Sequence, residues 1–183
     1  VFAPLMARLS DRFTTIAVDQ RGHGLSDKPE SGYQANDYAD DIAHLIRTLD
    51  RGPAILVGHS LGARNSVTAA ARNPDLVRSV IAIDFTPYIE TDALDALESR
   101  VNAGDQVFRD VEAVQAYLAG RYPNIPADAI RIRAESGYRP VEGGLRPLAS
   151  PTAMAQTARG LRADLSQAYR DVTKPCLIVR GEQ

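Results

Sequence analysis

The chain has 183 residues, 44% hydrophobic and 24% charged, a composition ordinary for a globular domain and long enough for one sizeable core. A formal net charge of −2 offers no basic surface for nucleic acid or for anionic lipid, and no apolar run nears the ~20 residues of a membrane span. The lone cysteine, Cys176, excludes an internal disulfide framework and fits a reducing, cytoplasmic setting.

In chain order, Phe2 to Leu9 has the spacing of an amphipathic helix, and Thr14 to Val18 reads as a strand. The loop from Asp19 to Pro29 follows, with Gly22 and Gly24 inside it. Tyr38, Ile42, Leu45, Ile46 and Leu49 fall on one helical face, which predicts a helix from near Asn36 to Leu49. Pro53 to Val57 is a short apolar run, as expected of a strand buried on both faces. The alanine-rich stretch from Ala63 to Arg72 is helical and stops at Asn73-Pro74, and Ser79 to Ile83 is the next strand. Strands alternating with helices imply an α/β fold: a mostly parallel sheet with helices on both faces.

The pattern changes at Thr86-Pro87. Leu94, Leu97 and Val101 share a helical face before Gly104, as do Val111, Val114 and Leu118 before Gly120. Helical segments without strands are expected up to about Arg170. Sheet pattern returns at Cys176 to Val179, where Cys176 is expected as a small core residue. Residues 1–85 and 171–183 thus read as a core and 86–170 as a helical insertion. The first residue is not methionine and the last follows directly on a strand, so both ends read as cut from inside a larger domain.

Gly58-His59-Ser60-Leu61-Gly62 is a G-x-S-x-G turn in the setting that pattern requires, between a strand and a helix. It would present Ser60 as a nucleophile on strained backbone, with flanking glycines where strand and helix close together. The Leu61 N–H at the helix start would be one half of an oxyanion hole. A serine nucleophile needs a base and an acid that orients it. Asp84 ends the strand after the serine's own, and functional groups of parallel sheets gather at that edge. Glu182, or an acid beyond Gln183, is the alternative. No histidine follows Ser60: His59 abuts it, His44 is mid-helix, and His23 reads as a structural hydrogen-bonding residue of its loop. The base is therefore expected after Gln183.

The insertion carries Arg100, Arg109, Arg121, Arg131, Arg133, Arg139 and Arg146, whose forked guanidinium groups suit carboxylates. Arg121-Tyr122 is the best-placed pair by sequence. No P-loop, G-x-G-x-x-G, C-x-x-C or histidine-rich spacing is present, so no cofactor and no metal are expected.

The runs Val18 to Asp27 and Gly58 to Gly62 resemble the α/β-hydrolase fold superfamily, and the resemblance covers the whole chain. It implies that the helical insertion is the cap that roofs the active site. Ala82 to Thr91 and Leu118 to Pro126 are similar to the members of that family that cleave an acetamide from a small dicarboxylate in bacterial vitamin B6 degradation. This implies Ser60 as nucleophile, Asp84 as acid, and Arg100, Arg121, Tyr122 and Arg133 holding the two substrate carboxylates. The products would be acetate, ammonia, carbon dioxide and succinic semialdehyde. The expected partners are a small anionic substrate and at most a second copy of the chain as a homodimer, with no nucleic acid and no membrane. Without a base the chain by itself is expected to be inactive. The competing readings are a general carboxylesterase or carbon–carbon bond hydrolase of the same fold, or a ligand-binding receptor on that scaffold.

Overall fold

Three parallel strands carry the site. They are β1 (Ala54–His59), β2 (Val77–Ile83) and β5 (Cys176–Val179), in the order β1-β2-β5. The structure is a computed structural model and describes residues 2–181. Helix α1 (Ala3–Leu9) and α2 (Ala35–Leu49) precede the sheet, and α3 (Leu61–Arg72) joins β1 to β2. Between β2 and β5 lie α4 (Thr91–Ala103), α5 (Val111–Arg121), α6 (Ala127–Ser136), a hairpin of β3 (Tyr138–Val141) and β4 (Gly144–Pro147), α7 (Pro151–Gly160) and α8 (Ser166–Asp171).

Local chemistry explains the helix limits. The Asp37 carboxylate of α2 accepts the Gln34 N–H at 2.8 Å, and Asp50 stops the helix in left-handed backbone at φ 47°. Asp110 caps α5 by accepting the Ala113 N–H at 2.8 Å. Helix α3 is buried at every position from Ala63 to Ala70. Its run of small residues lets it lie against β1 and β2 on one side and α2 and α8 on the other. Ala63, Val67 and Ala70 meet Val77, Val80 and Ala82 there in one core cluster.

The chain divides into two compact units. One comprises residues 1–29 and 102–153; its core is Phe108, Val114, Leu118, Ile130 and Ala134. The other comprises residues 30–101 and 154–183 and holds the parallel sheet.

Three sequence expectations are corrected. Residues 14–18 form no strand, because no described strand pairs with them, and Ile16 and Val18 stand exposed. The segment after Thr86 is not free of strands. β3 and β4 pair antiparallel, with Tyr138 opposite Pro147 and Val141 opposite Gly144. Pro140 and Pro147 obscured this hairpin, yet proline is tolerated on an edge strand. Gly144 is needed where it sits: a Cβ there would lie 1.9 Å from the Phe108 carbonyl oxygen, and Phe108 bridges Leu145 at that point. Finally, Cys176 is exposed rather than core, since it lies on the outer strand β5, whose four residues are all exposed. No helix among the described residues is long and apolar enough to cross a membrane.

Candidate active site

Ser60 sits between β1 and α3 at φ 51° and ψ −117°, backbone that a residue with a side chain adopts only under strain. Gly58 permits this turn. A Cβ on it would stand 2.2 Å from the Gly62 carbonyl oxygen and 2.5 Å from the Ala63 nitrogen, both main-chain atoms that cannot rotate aside. The Ser60 carbonyl accepts the N–H groups of Ala63 at 3.0 Å and Arg64 at 3.2 Å, so the helix begins at once. Leu61 is its first residue, and its N–H has no acceptor four residues back within the helix. This gives Ser60 a donor group and the positive helix end beside it.

Asp84 occupies the equivalent place one strand over. His59 and Ile83 are register partners, so Ser60 and Asp84 are the next residues on adjacent parallel strands, whose backbones run roughly 4.8 Å apart. The Ser60 N–H donates to the Ile83 carbonyl at 3.0 Å, and the Asp84 N–H donates to the Val179 carbonyl at 2.7 Å. Asp84 also has positive φ, at 49°. Both side chains are exposed at the carboxyl edge of the sheet. Ser60 and Asp84 are thus anchored on adjacent turns with positive φ, each directly past a registered strand residue. Glu182, the alternative acid, lies outside the described residues.

The three histidines are placed elsewhere. His44 is exposed on α2 and His59 is exposed at the end of β1. His23 belongs to the loop after Asp19: its Nδ1 lies 3.0 Å from the Arg21 carbonyl oxygen. That loop is closed internally. The Asp19 carboxylate accepts the Leu25 N–H at 2.9 Å, the Asp19 carbonyl accepts the Ser26 hydroxyl at 2.6 Å, and Gly24 leaves room for the Asp19 side chain.

Arg121, Tyr122 and Arg133 are brought together in the unit that contains residues 102–153. Arg121 ends α5 and donates to the hydroxyl groups of Tyr117 at 2.9 Å and Tyr122 at 3.3 Å. The Arg133 guanidinium, from α6, lies over the Tyr122 ring at 4.8 Å. Burial pushes the Tyr122 phenol upward, but the Arg121 hydrogen bond and the charges of Arg133 and Arg121 outweigh it, and the net shift is downward. Among the described residues Arg133 forms no ion pair. Arg100 is an exposed residue of α4, in the other unit.

Arg64 was missed by sequence reasoning. It is 3% exposed, and its guanidinium donates to four main-chain carbonyls, those of Thr86, Pro87, Leu161 and Ala163. The available signal was its isolation: no other charged residue lies between Ser60 and Arg72.

The chain is 86% identical over 182 residues to a 2-(acetamidomethylene)succinate hydrolase of Mesorhizobium japonicum; the match covers 100% of this chain and 66% of that protein, just under two thirds. A crystal structure of E-2-(acetamidomethylene)succinate hydrolase superposes at a TM-score of 0.97 with 85% identity, over 100% of this chain and 68% of that one. An α/β hydrolase from Novosphingobium aromaticivorans, only 21% identical, shares the fold at a TM-score of 0.83, over 100% of this chain and 68% of its own. The family model described as alpha/beta hydrolase fold matches residues 1–125. This chain belongs to the alpha/beta hydrolase fold family.

Proposed function

We propose that the whole protein containing this chain is a serine hydrolase that cleaves the acetamide of (E)-2-(acetamidomethylene)succinate. The observation that carries the chemistry is the pairing of Ser60 and Asp84 on strained backbone one step past the registered residues His59 and Ile83. The substrate is taken from the 86% identical relative.

The Ser60 hydroxyl attacks the acetyl carbonyl carbon while a histidine takes its proton. In this reading the base is a histidine beyond Gln183, and the chain without it is inactive; that His23, His44 and His59 have no hydrogen bond to Ser60 among the described residues supports it. Asp84 orients the imidazole and stabilises its charged form. The Leu61 N–H and a second N–H hold the oxyanion, each donor contributing ~3 kcal/mol. Collapse breaks the C–N bond, the histidine returns its proton to the leaving nitrogen, and water releases acetate from Ser60. The enamine left behind takes up a second water, loses ammonia and carbon dioxide, and gives succinic semialdehyde. Residues 86–170 form the cap, and Arg100, Arg121, Tyr122 and Arg133 recognise the substrate carboxylates.

The test is turnover of the diacid amide against neutral esters by the full-length protein. Preference for the diacid, abolished by Ser60→Ala, is expected. Faster turnover of neutral esters would overturn the substrate assignment, and a single turnover without release would favour a receptor.

A further inference from the structure

Arg64 takes no part in the chemistry above, yet its environment is unusual for a cation. Removing a guanidinium from water is costly, and a carboxylate is the common compensation. Among the described residues Arg64 forms no ion pair; burial lowers its proton affinity, and the more distant Tyr169 and Asp164 raise it only in part. Four carbonyl oxygens replace the carboxylate: Thr86 at 3.2 Å and Pro87 at 3.1 Å on one nitrogen, Leu161 at 3.3 Å and Ala163 at 2.7 Å on the other.

The location of those carbonyls gives the arrangement its meaning. Thr86 and Pro87 are the second and third residues after Asp84, in a segment with neither helix nor strand. Asp84 enters that segment at φ 49°, a conformation that persists only where its surroundings enforce it. The Asp84 N–H is held by the Val179 carbonyl, the Phe85 ring stacks on Tyr169 at 4.8 Å, and Pro87 also accepts from the Leu165 N–H at 2.8 Å. Phe85 packs against the core cluster that includes α3, and Arg64 adds hydrogen bonds from the segment to the helix that Ser60 opens, where its own N–H is bonded to the Ser60 carbonyl.

We propose that Arg64 is a positioning residue for Asp84: its guanidinium, rooted one turn after Ser60, fixes the main chain that leaves the acid and so sets the acid's place relative to the nucleophile. The proposal rests on the reading of Ser60 and Asp84 as nucleophile and acid.

A double-mutant cycle in the full-length enzyme tests it, using Arg64→Lys, Asp84→Asn and their combination, with kcat, KM and Tm measured for each. Arg64→Gln is a second route should the lysine variant fail to fold. Lysine keeps the charge but cannot span four acceptors. A misplacement near 1 Å should lower kcat by about 10- to 100-fold with KM within about twofold. In the Asp84→Asn background the same change should have little further effect, because the group it positions is already lost. A wild-type kcat in Arg64→Lys, or an equal fold-loss in both backgrounds, would overturn the proposal. So would failure of both Arg64 variants to fold, which would mark the residue as a requirement of the fold. Wild-type turnover by Asp84→Asn would instead sink the underlying assignment of the acid, and the proposal with it.

Discussion

Gly58→Ala tests the geometry of the elbow directly. The added Cβ would lie 2.2 Å from the Gly62 oxygen, 2.3 Å from the Gly62 carbonyl carbon and 2.5 Å from the Ala63 nitrogen. All three are main-chain atoms of the first turn of α3, so no rotamer relieves the contact. Opening it to a tolerable distance requires about 1 Å of relative movement between β1 and α3, and overpacking of this kind costs about 1–3 kcal/mol. Ser60 and the Leu61 N–H lie at the junction that must move. A 1 Å error in a catalytic array lowers turnover on the order of 100-fold. The expected result in the full-length enzyme is a Tm lower by several degrees and a kcat lower by about two orders of magnitude, read by thermal melts and steady-state amide hydrolysis. A variant with unchanged Tm and kcat would show that strand and helix are not in close contact at this turn, and the account of Ser60 would fail with it.

Asp84→Asn in the full-length enzyme should lower kcat on the order of 10⁴-fold while leaving the melting temperature nearly unchanged; near-normal turnover would move the acid elsewhere. Arg133→Gln should lower kcat/KM for the diacid by about 10- to 100-fold, the worth of a charge-assisted hydrogen bond, and leave neutral esters unaffected; parallel assays on both substrates decide this. Gly120→Ala should raise stability by about 1 kcal/mol in a thermal melt, because the residue lies inside α5 with open space where the methyl would go. Asp105 is held below its ordinary value of 3.8 by its hydrogen bond from Arg146, at 2.7 Å and 2.8 Å. A depressed carboxyl stabilises the fold above its unfolded value and loses that contribution as pH falls through the folded one. The Tm gap between wild type and Arg146→Gln should therefore be full near pH 6 and shrink below about pH 4; a gap independent of pH would contradict the pairing.

How far the sequence could be read depended on the range of the interactions. The elbow was legible because its parts are contiguous, and Asp84 because an apolar strand points to the sheet edge where it ends. Asp84's place beside Ser60 is a matter of register, which the alternation of strand and helix implied but could not prove. The β3–β4 hairpin was not legible, since two prolines masked it and Gly144 is required only by the approach of Phe108, 36 positions earlier in the numbering. Arg64 was the hardest case. Its partners are main-chain carbonyls 22 to 99 positions away, and a carbonyl leaves no mark in a sequence. The cluster of Arg121, Tyr122 and Arg133 was named from family resemblance; spacing alone identified only the Arg121-Tyr122 pair.

The ladder between β1 and β2 carries a further implication for how such a pair can change. Register in a sheet is quantised: a slip of one residue turns every side chain to the opposite face. Because Ser60 and Asp84 each follow directly on a paired residue, their juxtaposition is inherited as a whole number of steps. Substitutions along the strands leave it intact. The irregularity between Ala54 and Ile55 shows that a one-residue change is absorbed at the start of the ladder, whereas between Ile55 and His59 the pairing is unbroken and a deletion there would shift Ser60 by a whole step against Asp84.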